Sequence, residues 1–288
     1  MAPTATCRLF VYLARQAPVA VVLRRGPSAW ARLSLWQTGT DTFAHGQWTK
    51  ARIYERRSDL SADGSLFVCF ARKSGGRAEA DHDTWVAVSR PPWFAALALW
   101  FVGGTYCAGG FFPDPRSLWL GFAADPPDQG LLPAWLSTAD PATGYTDRTP
   151  NWPERTVWLN RLRRDGWTVA AGVAPETWRR PDPTGTRTLA MTLRSDSAFA
   201  THGGPHVVEY AVESAPGGER VSLGRADWAD WDQRGRLVVA RGGQLLHLEP
   251  SGSWQEIANF NDQVPDPAPA PETARIWPEP TAPAATGG

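Results

Sequence analysis

Apolar residues in this chain occur in short runs separated by turn signals. The clearest run extends from Leu66 to Phe70 and follows the dipeptide Asp63-Gly64. A short apolar run with β-branched and aromatic residues is typical of a strand that is buried on both faces. Asp-Gly supplies the positive φ that a tight hairpin turn needs. No segment has a sustained apolar stripe at helical spacing, so the pattern predicts an all-β protein.

Other short apolar or alternating stretches predict further strands. The stretch Phe94 to Val102 is rich in alanine at first and predicts a short helix instead. From Trp48 to Arg56, long side chains occupy every second position and would share one face of a regular strand. Further strands are predicted at Arg8 to Ala14, Val19 to Arg25, Trp30 to Trp36, Thr84 to Ser89, Ser117 to Phe122, Thr156 to Leu162, Trp167 to Val173, Thr188 to Arg194 and His206 to Val212.

A second copy of the turn and strand occurs late in the chain. Placing Gly64 over Gly235 also places Asp59 over Asp230, Leu66 over Leu237 and Val68 over Val239. The spacing fits four units of about 43 residues, the length of one propeller blade. A weaker third copy follows Gly185. We therefore predict a β-propeller-like repeat of short antiparallel strands with five to six blades, and another large all-β fold is the alternative.

The segment from Asp59 to Gly64, followed by its apolar strand, resembles the turn motif of TolB-like and WD-repeat-like β-propellers. The resemblance covers about a dozen residues per copy, and the chain lacks the proline of that motif. It implies a structural role for the aspartates and a scaffold or binding role for the fold, and it carries no catalytic residue across. The stretch Gln47 to Arg57 is similar to uncharacterised bacterial proteins, which implies no function.

Composition divides the chain into a folded part and a tail. Residues 1–260 are predicted to form one all-β domain. Residues 261–288 are rich in proline and alanine, have few apolar side chains, and are predicted to be disordered. The irregular stretch 123–155 is predicted to be a long functional or mobile loop.

Charge and cysteine usage exclude several classes of function. Lys+Arg and Asp+Glu both number 29, so no global field attracts nucleic acid or an anionic membrane. The three cysteines are widely spaced and favour neither a disulfide framework nor a thiolate metal site. No apolar stretch is long enough to span a bilayer. We expect a cytoplasmic protein without cofactor or metal, and neither a membrane nor nucleic acid is an expected partner.

Several groups of residues are candidates for a binding, metal or catalytic site. The alternating cations and aromatics from Trp48 to Arg57 could bind nucleic acid, but a solvated outer strand is the favoured interpretation. Asp81-His82-Asp83 is interpreted as a polar loop, and the pair His202 and His206 lacks a third metal ligand. Glu55 and Asp59 could form a carboxylate pair for glycoside chemistry. The 16 tryptophans suit sugar stacking and blade packing equally well.

The sequence predicts a non-catalytic scaffold or binding protein whose partner is another protein. The predicted binding surface comprises Arg56, Arg57, Arg90 and Trp93. The alternative is a hydrolase or lyase that acts on a sugar or similar polar ligand in a central pocket or beneath residues 123–155. Whether the protein is an enzyme stays open at this point, with the balance against it.

Overall fold

Short strands joined by turns form almost all of the secondary structure. A computed structural model describes residues 6–73, 82–122, 131–139, 153–172, 175–194, 207–214, 218–249 and 251–280. Over these residues the strands form five sheets, each from one stretch of chain. Most neighbouring strands are antiparallel, and one pair in the third sheet is parallel. The predicted all-β, propeller-like fold of short antiparallel strands is confirmed, whereas the repeat and the number of blades stay predictions.

The first two sheets come from the N-terminal part of the chain. The first has the strand order β1-β2-β3-β4, and the second has the order β5-β7-β8-β9, with β6 also paired to β7. A 3-10 helix, Glu55–Arg57, separates β5 from β6. The strands are β1 Arg8–Leu13, β2 Val19–Arg25, β3 Ala31–Gln37, β4 Thr42–Thr49, β5 Arg52–Ile53, β6 Asp59–Leu60, β7 Phe67–Arg72, β8 Thr84–Ser89 and β9 Ala96–Phe101.

The remaining three sheets follow in chain order. The third has the order β10-β11-β12, the fourth β13-β14-β15-β16-β17 and the fifth β18-β19-β20-β21. The helix α1, Pro153–Arg164, precedes the fourth sheet, and a 3-10 helix, Glu272–Arg275, lies near the C-terminus. The strands are β10 Gly110–Asp114, β11 Ser117–Leu120, β12 Ser137–Thr138, β13 Thr168–Val169, β14 Thr177–Pro181, β15 Arg187–Arg194, β16 Val207–Ser214, β17 Arg220–Arg225, β18 Trp228–Trp231, β19 Leu237–Arg241, β20 Gln244–Leu248 and β21 Trp254–Asn259.

Contacts divide the chain into two compact units. The first unit comprises Met1–Phe10 and Leu162–Asp262, and the second comprises Val11–Arg161 and Gln263–Gly288. The chain therefore returns to the second unit at its C-terminal end. The single domain expected over residues 1–260 stays a prediction. Over the part of the chain that the structure describes, no helix is long and apolar enough to cross a membrane.

The second unit has an apolar core built from the second and third sheets. Alternate residues of β7 and β8 point into it, so Val68 and Phe70 lie beside Val86 and Val88. Strands β9, β10 and β11 complete the core with Ala98, Trp100, Phe112, Leu118 and Leu120.

Three hairpins share the turn that the sequence analysis emphasised. Gly64, Gly185 and Gly235 all have positive φ, and each amide donates to the carbonyl three residues earlier. The turn between Leu60 and Phe67 is one residue longer than the turn between Trp231 and Leu237. Phe67, and not Leu66, therefore occupies the position of Leu237. The sequence alignment that places Leu66 over Leu237 and Val68 over Val239 is wrong by one residue after the turn.

Two of the predicted elements have a different secondary structure. Residues predicted as the strand Thr156 to Leu162 form α1, which begins at Pro153, a position that proline favours. Residues predicted as a short helix from Phe94 form strand β9, whose hydrogen bonds to β8 outweigh the local alanine content.

The predicted strand from Trp48 to Arg56 is interrupted. Strand β4 ends at Thr49, β5 contains only Arg52 and Ile53, and the chain then enters the 3-10 helix. Because the regular alternation is lost, the long side chains do not share one face. Trp48 is instead buried.

The disordered tail expected over residues 261–288 stays a prediction. Residues 261–280 are placed against the rest of their units by polar contacts and by the buried side chains of Ala270 and Ala274. Residues 281–288 and most of the loop 123–155 lie outside the described residues.

Candidate peptide-binding surface

Two of the predicted binding residues, Arg56 and Arg57, lie in the 3-10 helix between β5 and β6. The Arg57 side chain is buried and donates to the carbonyls of Thr105 and Cys107 at 2.5 and 3.0 Å. The Arg56 guanidinium lies 4.1 Å from the ring centroid of Trp158. Arg57 therefore acts in the interior of the second unit, where it satisfies two main-chain carbonyls.

The other two predicted residues, Arg90 and Trp93, lie in the turn between β8 and β9. The amide of Trp93 donates to the carbonyl of Arg90 at 2.9 Å, which closes the turn. The Arg90 guanidinium donates to the carbonyls of Thr273 and Ile276 at 2.9 and 3.2 Å. Arg90 thus binds a peptide segment, and that segment belongs to the same chain.

We call residues 263–280 the tail segment. Of its side chains only those of Ala270 and Ala274 are buried, whereas Val264 is 77% exposed and Ile276 is 60% exposed. Apart from the 3-10 helix, the segment has no regular secondary structure. Pro271 has φ −64° and ψ 157°, the backbone conformation of a polyproline helix.

A second contact comes from Gln47 in strand β4. Its Nε2 donates to the carbonyl of Ala268 at 3.3 Å, and its Oε1 accepts the amide of Phe94 at 2.9 Å. The amide of Gln47 also donates to the carbonyl of Pro92 at 3.1 Å. Both ends of the amide side chain are therefore occupied, which fixes the direction in which it donates to the tail segment.

Gly46 allows this arrangement. A Cβ atom at Gly46 would lie 2.0 Å from the carbonyl oxygen of Pro92, closer than van der Waals contact permits. Only glycine lets β4 approach the Pro92 loop this closely. The loop and β4 together hold Gln47 and Arg90 on one side of the second unit.

The N-terminal end of the tail segment lies beside two stacked arginines. The guanidinium groups of Arg24 and Arg32 lie 5.0 and 5.1 Å from the ring of Trp48. Arg24 donates to the carbonyl of Gln263 at 3.3 Å and to that of Gly26 at 2.8 Å. Burial, and then the charge of Arg24, lower the pKa of Arg32, whereas the carboxylate of Asp266 acts in the opposite direction.

His45 lies at the same end. Its Nδ1 is 2.9 Å from the hydroxyl of Ser34, its partner residue on β3, and 3.5 Å from Nε2 of Gln263. Burial, and then the nearby charge of Arg32, lower the pKa of His45. Because Ser34 is fully buried, we interpret this Ser-His pair as a cross-strand contact rather than a nucleophile and its base.

The C-terminal end of the tail segment is anchored by an indole. The ring of Trp277 meets that of Trp135 edge to face, with centroids 6.3 Å apart, and both pack against the apolar core of the second unit. We call Arg24, Arg32, Gln47, Trp48, Arg90 and Trp135 the receiving surface, since these side chains contact the tail segment or support those that do.

The carboxylates proposed as a catalytic pair each have a cationic partner. Glu55 forms an ion pair with Arg25. Asp59 accepts the amide of Phe112 at 2.9 Å and lies 3.6 Å from Arg161. We therefore interpret both carboxylates as structural, as the turn-motif resemblance implies for Asp59.

A different pair of carboxylates lies in the first unit. Asp230 is buried, forms an ion pair with Arg180 at 2.6 Å, and accepts hydrogen bonds from the amide of Trp231 at 2.8 Å and from the indole of Trp167 at 3.3 Å. Burial raises the pKa of Asp230, and the neighbouring charge of Asp165 acts in the same direction. This cluster combines two acids with tryptophans.

The cysteines and histidines do not gather into a site in the part of the chain that the structure describes. No group of three His, Cys, Asp or Glu residues there could hold a metal. Burial raises the pKa of Cys107 to about 11 and that of Cys69 to about 12. His82 packs against Phe101. Asp81, His202 and His206 lie outside the described residues.

Of the residues that hold the tail segment or anchor it, the sequence analysis named Arg90 but not Arg24, Gln47 or Trp277. Nothing in the sequence distinguishes the first two from other polar residues on strands. Trp277 could have been noticed in the sequence, because it is a large aromatic residue in a segment made mostly of proline, alanine and polar residues. Such a residue in a region of low apolar content indicates an anchor.

Comparisons with known proteins find distant structural likeness. No protein-family model matches the chain, and no curated protein does either. An uncharacterised protein from Listeria monocytogenes EGD-e has a TM-score of 0.32 and 10% identity, over 90% of this chain and 85% of that one. A GH43 protein from Bacillus licheniformis has a TM-score of 0.34 and 11% identity, over 93% of this chain and 57% of that one.

A third structural match comes from a study of prolyl endopeptidases. It has a TM-score of 0.29 and 13% identity, over 90% of this chain and 37% of that one. This chain therefore spans well under two thirds of the Bacillus protein and of the endopeptidase. These scores are low, so the fold assignment rests on the five sheets themselves.

Proposed function

We propose that this protein is a protein-interaction module whose receiving surface binds an extended, proline-rich segment of a partner. One observation carries the proposal. Arg24, Gln47 and Arg90, from three separate parts of the chain, all donate to main-chain carbonyls of the tail segment. Recognition of carbonyls by side chains suits a proline-rich ligand, because that backbone makes no hydrogen bonds of its own.

The way the tail segment is bound supports exchange with a partner. It joins no sheet, most of it is exposed, and only two small side chains are buried. Segments with few buried apolar contacts open with a small fraction of the global unfolding free energy. The tail segment can therefore leave the receiving surface while the sheets stay folded, and a similar segment of another protein can take its place.

The test is binding of the tail segment in trans. A fluorescent peptide of residues 261–280 is titrated with the full chain carrying Trp277→Ala, which weakens the competing tail. The attached tail acts as a competitor at about millimolar effective concentration, so we expect weaker binding to the wild-type chain. Fluorescence anisotropy measures both affinities.

Two further variants make the test specific. Adding Arg90→Gln removes two hydrogen bonds to carbonyls and should weaken binding about tenfold. Arg116→Gln is the matched control, because Arg116 is an exposed arginine in the turn between β10 and β11. Absence of saturable binding to the tail-weakened chain would contradict the proposal, as would equal losses in the two arginine variants.

A second candidate function is a hydrolase or lyase for a sugar or similar polar ligand. The cluster of Asp165, Asp230, Trp167 and Trp231 favours it, because burial raises the pKa of Asp230 against the opposing charge of Arg180, and an acid with a raised pKa can donate a proton. The hydrolases among the structural matches are too distant to support it, so this candidate rests on the cluster alone.

An activity screen tests this candidate directly. The wild-type chain is incubated with a panel of chromogenic aryl glycosides, and any turnover is compared between Asp230→Asn and the exposed control Glu219→Gln. Loss of turnover only in Asp230→Asn would support the candidate. Turnover that survives in Asp230→Asn would remove this cluster as the site.

A further inference from the structure

Near one end of the tail segment Arg24 binds the carbonyl of Gln263, and near the other end Trp277 meets the ring of Trp135. We infer that the receiving surface selects partner segments that carry a carboxylate at the Asp266 position, small residues in the middle and an indole at the Trp277 position. This inference rests on the proposed function and names the chemistry of the partner: an acidic segment rich in proline and alanine, with a tryptophan toward its C-terminal end.

The carboxylate is selected at the stacked arginines. Arg24 and Arg32 both lie over the ring of Trp48, so two positive charges share one aromatic platform. Arg24 is buried, and the Nε of Arg32 donates to the carbonyl of Gly46 at 3.1 Å. Two partly desolvated cations side by side repel each other, and an anion of the ligand offsets that repulsion. In the tail segment Asp266 is exposed and follows Gln263, whose carbonyl accepts a hydrogen bond from Arg24, and its charge acts to raise the pKa of Arg32.

Small residues are required in the middle. Ala274 is 2% exposed and Ala270 is 8% exposed, whereas their neighbours in the tail segment are exposed. A larger side chain at either position would have to displace packed atoms, which closely packed interiors resist. Alanine at these two positions therefore acts as a size filter along the proline-rich stretch.

The indole is selected at Trp135. Trp277 meets this ring edge to face and packs on the core cluster of the second unit. Aromatic anchors of this type carry much of the binding energy of an interface, and tryptophan is the most enriched of them. In chain order, the tail segment thus presents the carboxylate of Asp266, the small side chains of Ala270 and Ala274, and the indole of Trp277.

Competition between peptides tests this selection. Labelled peptide 261–280 is first bound to the full chain carrying Trp277→Ala and is then displaced by unlabelled peptides. Relative to the parent peptide, we expect a peptide with Trp277→Ala to be more than about tenfold weaker. A peptide with Ala274→Leu should also be about tenfold weaker. A peptide with Asp266→Asn should be about two- to fivefold weaker, and its binding should lose most of its salt dependence.

A peptide with Glu279→Gln is the matched control for charge, because Glu279 is exposed and lies beyond the anchor. It should compete as well as the parent peptide. If the parent binds and the peptides altered at Asp266, Ala274 and Trp277 compete equally well, this inference is overturned while the proposed function stands. If the parent peptide fails to bind, the proposed function itself is wrong.

Discussion

Strand β7 and the tail segment both belong to the second unit, but they are held in opposite ways. Strand β7 pairs with β8 through a main-chain ladder along its whole length, and five of its six side chains are buried. The tail segment pairs with no strand, and three side chains from elsewhere hold its carbonyls. Strand β7, with its main-chain hydrogen bonds and buried side chains, is part of the fold. The tail segment is held by donor side chains from elsewhere, and in this respect it resembles a bound ligand.

This difference indicates which residues are structural and which could carry the function. The turn motif and its strands organise the sheets, and their buried aspartates are occupied by structural partners such as Arg161. The receiving surface combines residues on strands of the first sheet, among them Arg24 and Gln47, with Arg90 from a turn. Three predictions test this difference.

The largest expected effect is on the core. Phe70 is fully buried in the cluster of the second unit, so Phe70→Ala should lower the free energy of unfolding by about 3–5 kcal/mol. Phe101→Ala, at an exposed position of β9, is the control and should change it by about 0.5 kcal/mol or less. Urea unfolding followed by tryptophan fluorescence measures both. Equal losses would show that the exposed Phe101 stabilises the fold as much as a buried core residue does.

An intermediate effect is expected from the tail anchor. Trp277→Ala should change the global unfolding free energy by about 1 kcal/mol, since it loosens only the tail segment. Tryptic cleavage after Arg275 should accelerate about tenfold, because the segment opens without unfolding of the sheets. Val264→Ala, at a residue that is 77% exposed, is the control and should leave the cleavage rate unchanged. A large loss of global stability in Trp277→Ala would place the tail segment in the fold instead.

The smallest expected effect is a pH dependence of docking at His45. Burial and the charge of Arg32 lower the pKa of His45 in the docked state, and Gln263 of the tail segment contacts its ring. A group whose pKa is lowered by docking takes up its proton less readily when docked. Docking is therefore strongest above the ordinary histidine pKa of about 6.5 and weakens as the pH falls below it.

The measurement is the affinity of the labelled peptide for the tail-weakened chain at two pH values. We expect the affinity to fall by less than about tenfold between pH values of about 7.5 and 5.5. The variant His45→Gln should lose this dependence. A pH dependence that persists in His45→Gln would assign it to another group.

The sequence predicts the sheets well because apolar runs and turn glycines are local signals. The run at Leu66 to Phe70 and the positive φ of Gly64 could be read directly, and the structure has both. Helix α1 could not be predicted from local sequence signals. Thr156, Val157 and Trp158 favour strands locally, and their burial on a helix depends on packing that no local pattern reveals.

The candidate site was only partly predictable for the same reason. Arg90 was named as part of a loop-side binding surface with Arg56, Arg57 and Trp93, but the carbonyls that it binds lie far along the chain. The proline-rich composition of residues 261–280 predicts disorder, since such a segment cannot bury a core of its own. In the structure, Gln47, Arg90 and the other donors supply from outside the hydrogen bonds that the segment cannot make internally.

The central claim is that a segment in trans and the tail segment in cis compete for one surface. Tryptic cleavage after Arg275 in the wild-type chain tests this most directly, with added peptide 261–280 carrying Arg275→Gln so that only the chain is cut there. The account predicts that the cleavage rate rises with peptide up to about millimolar concentration and levels off near the rate of Trp277→Ala. A cleavage rate that does not change over this range would contradict it.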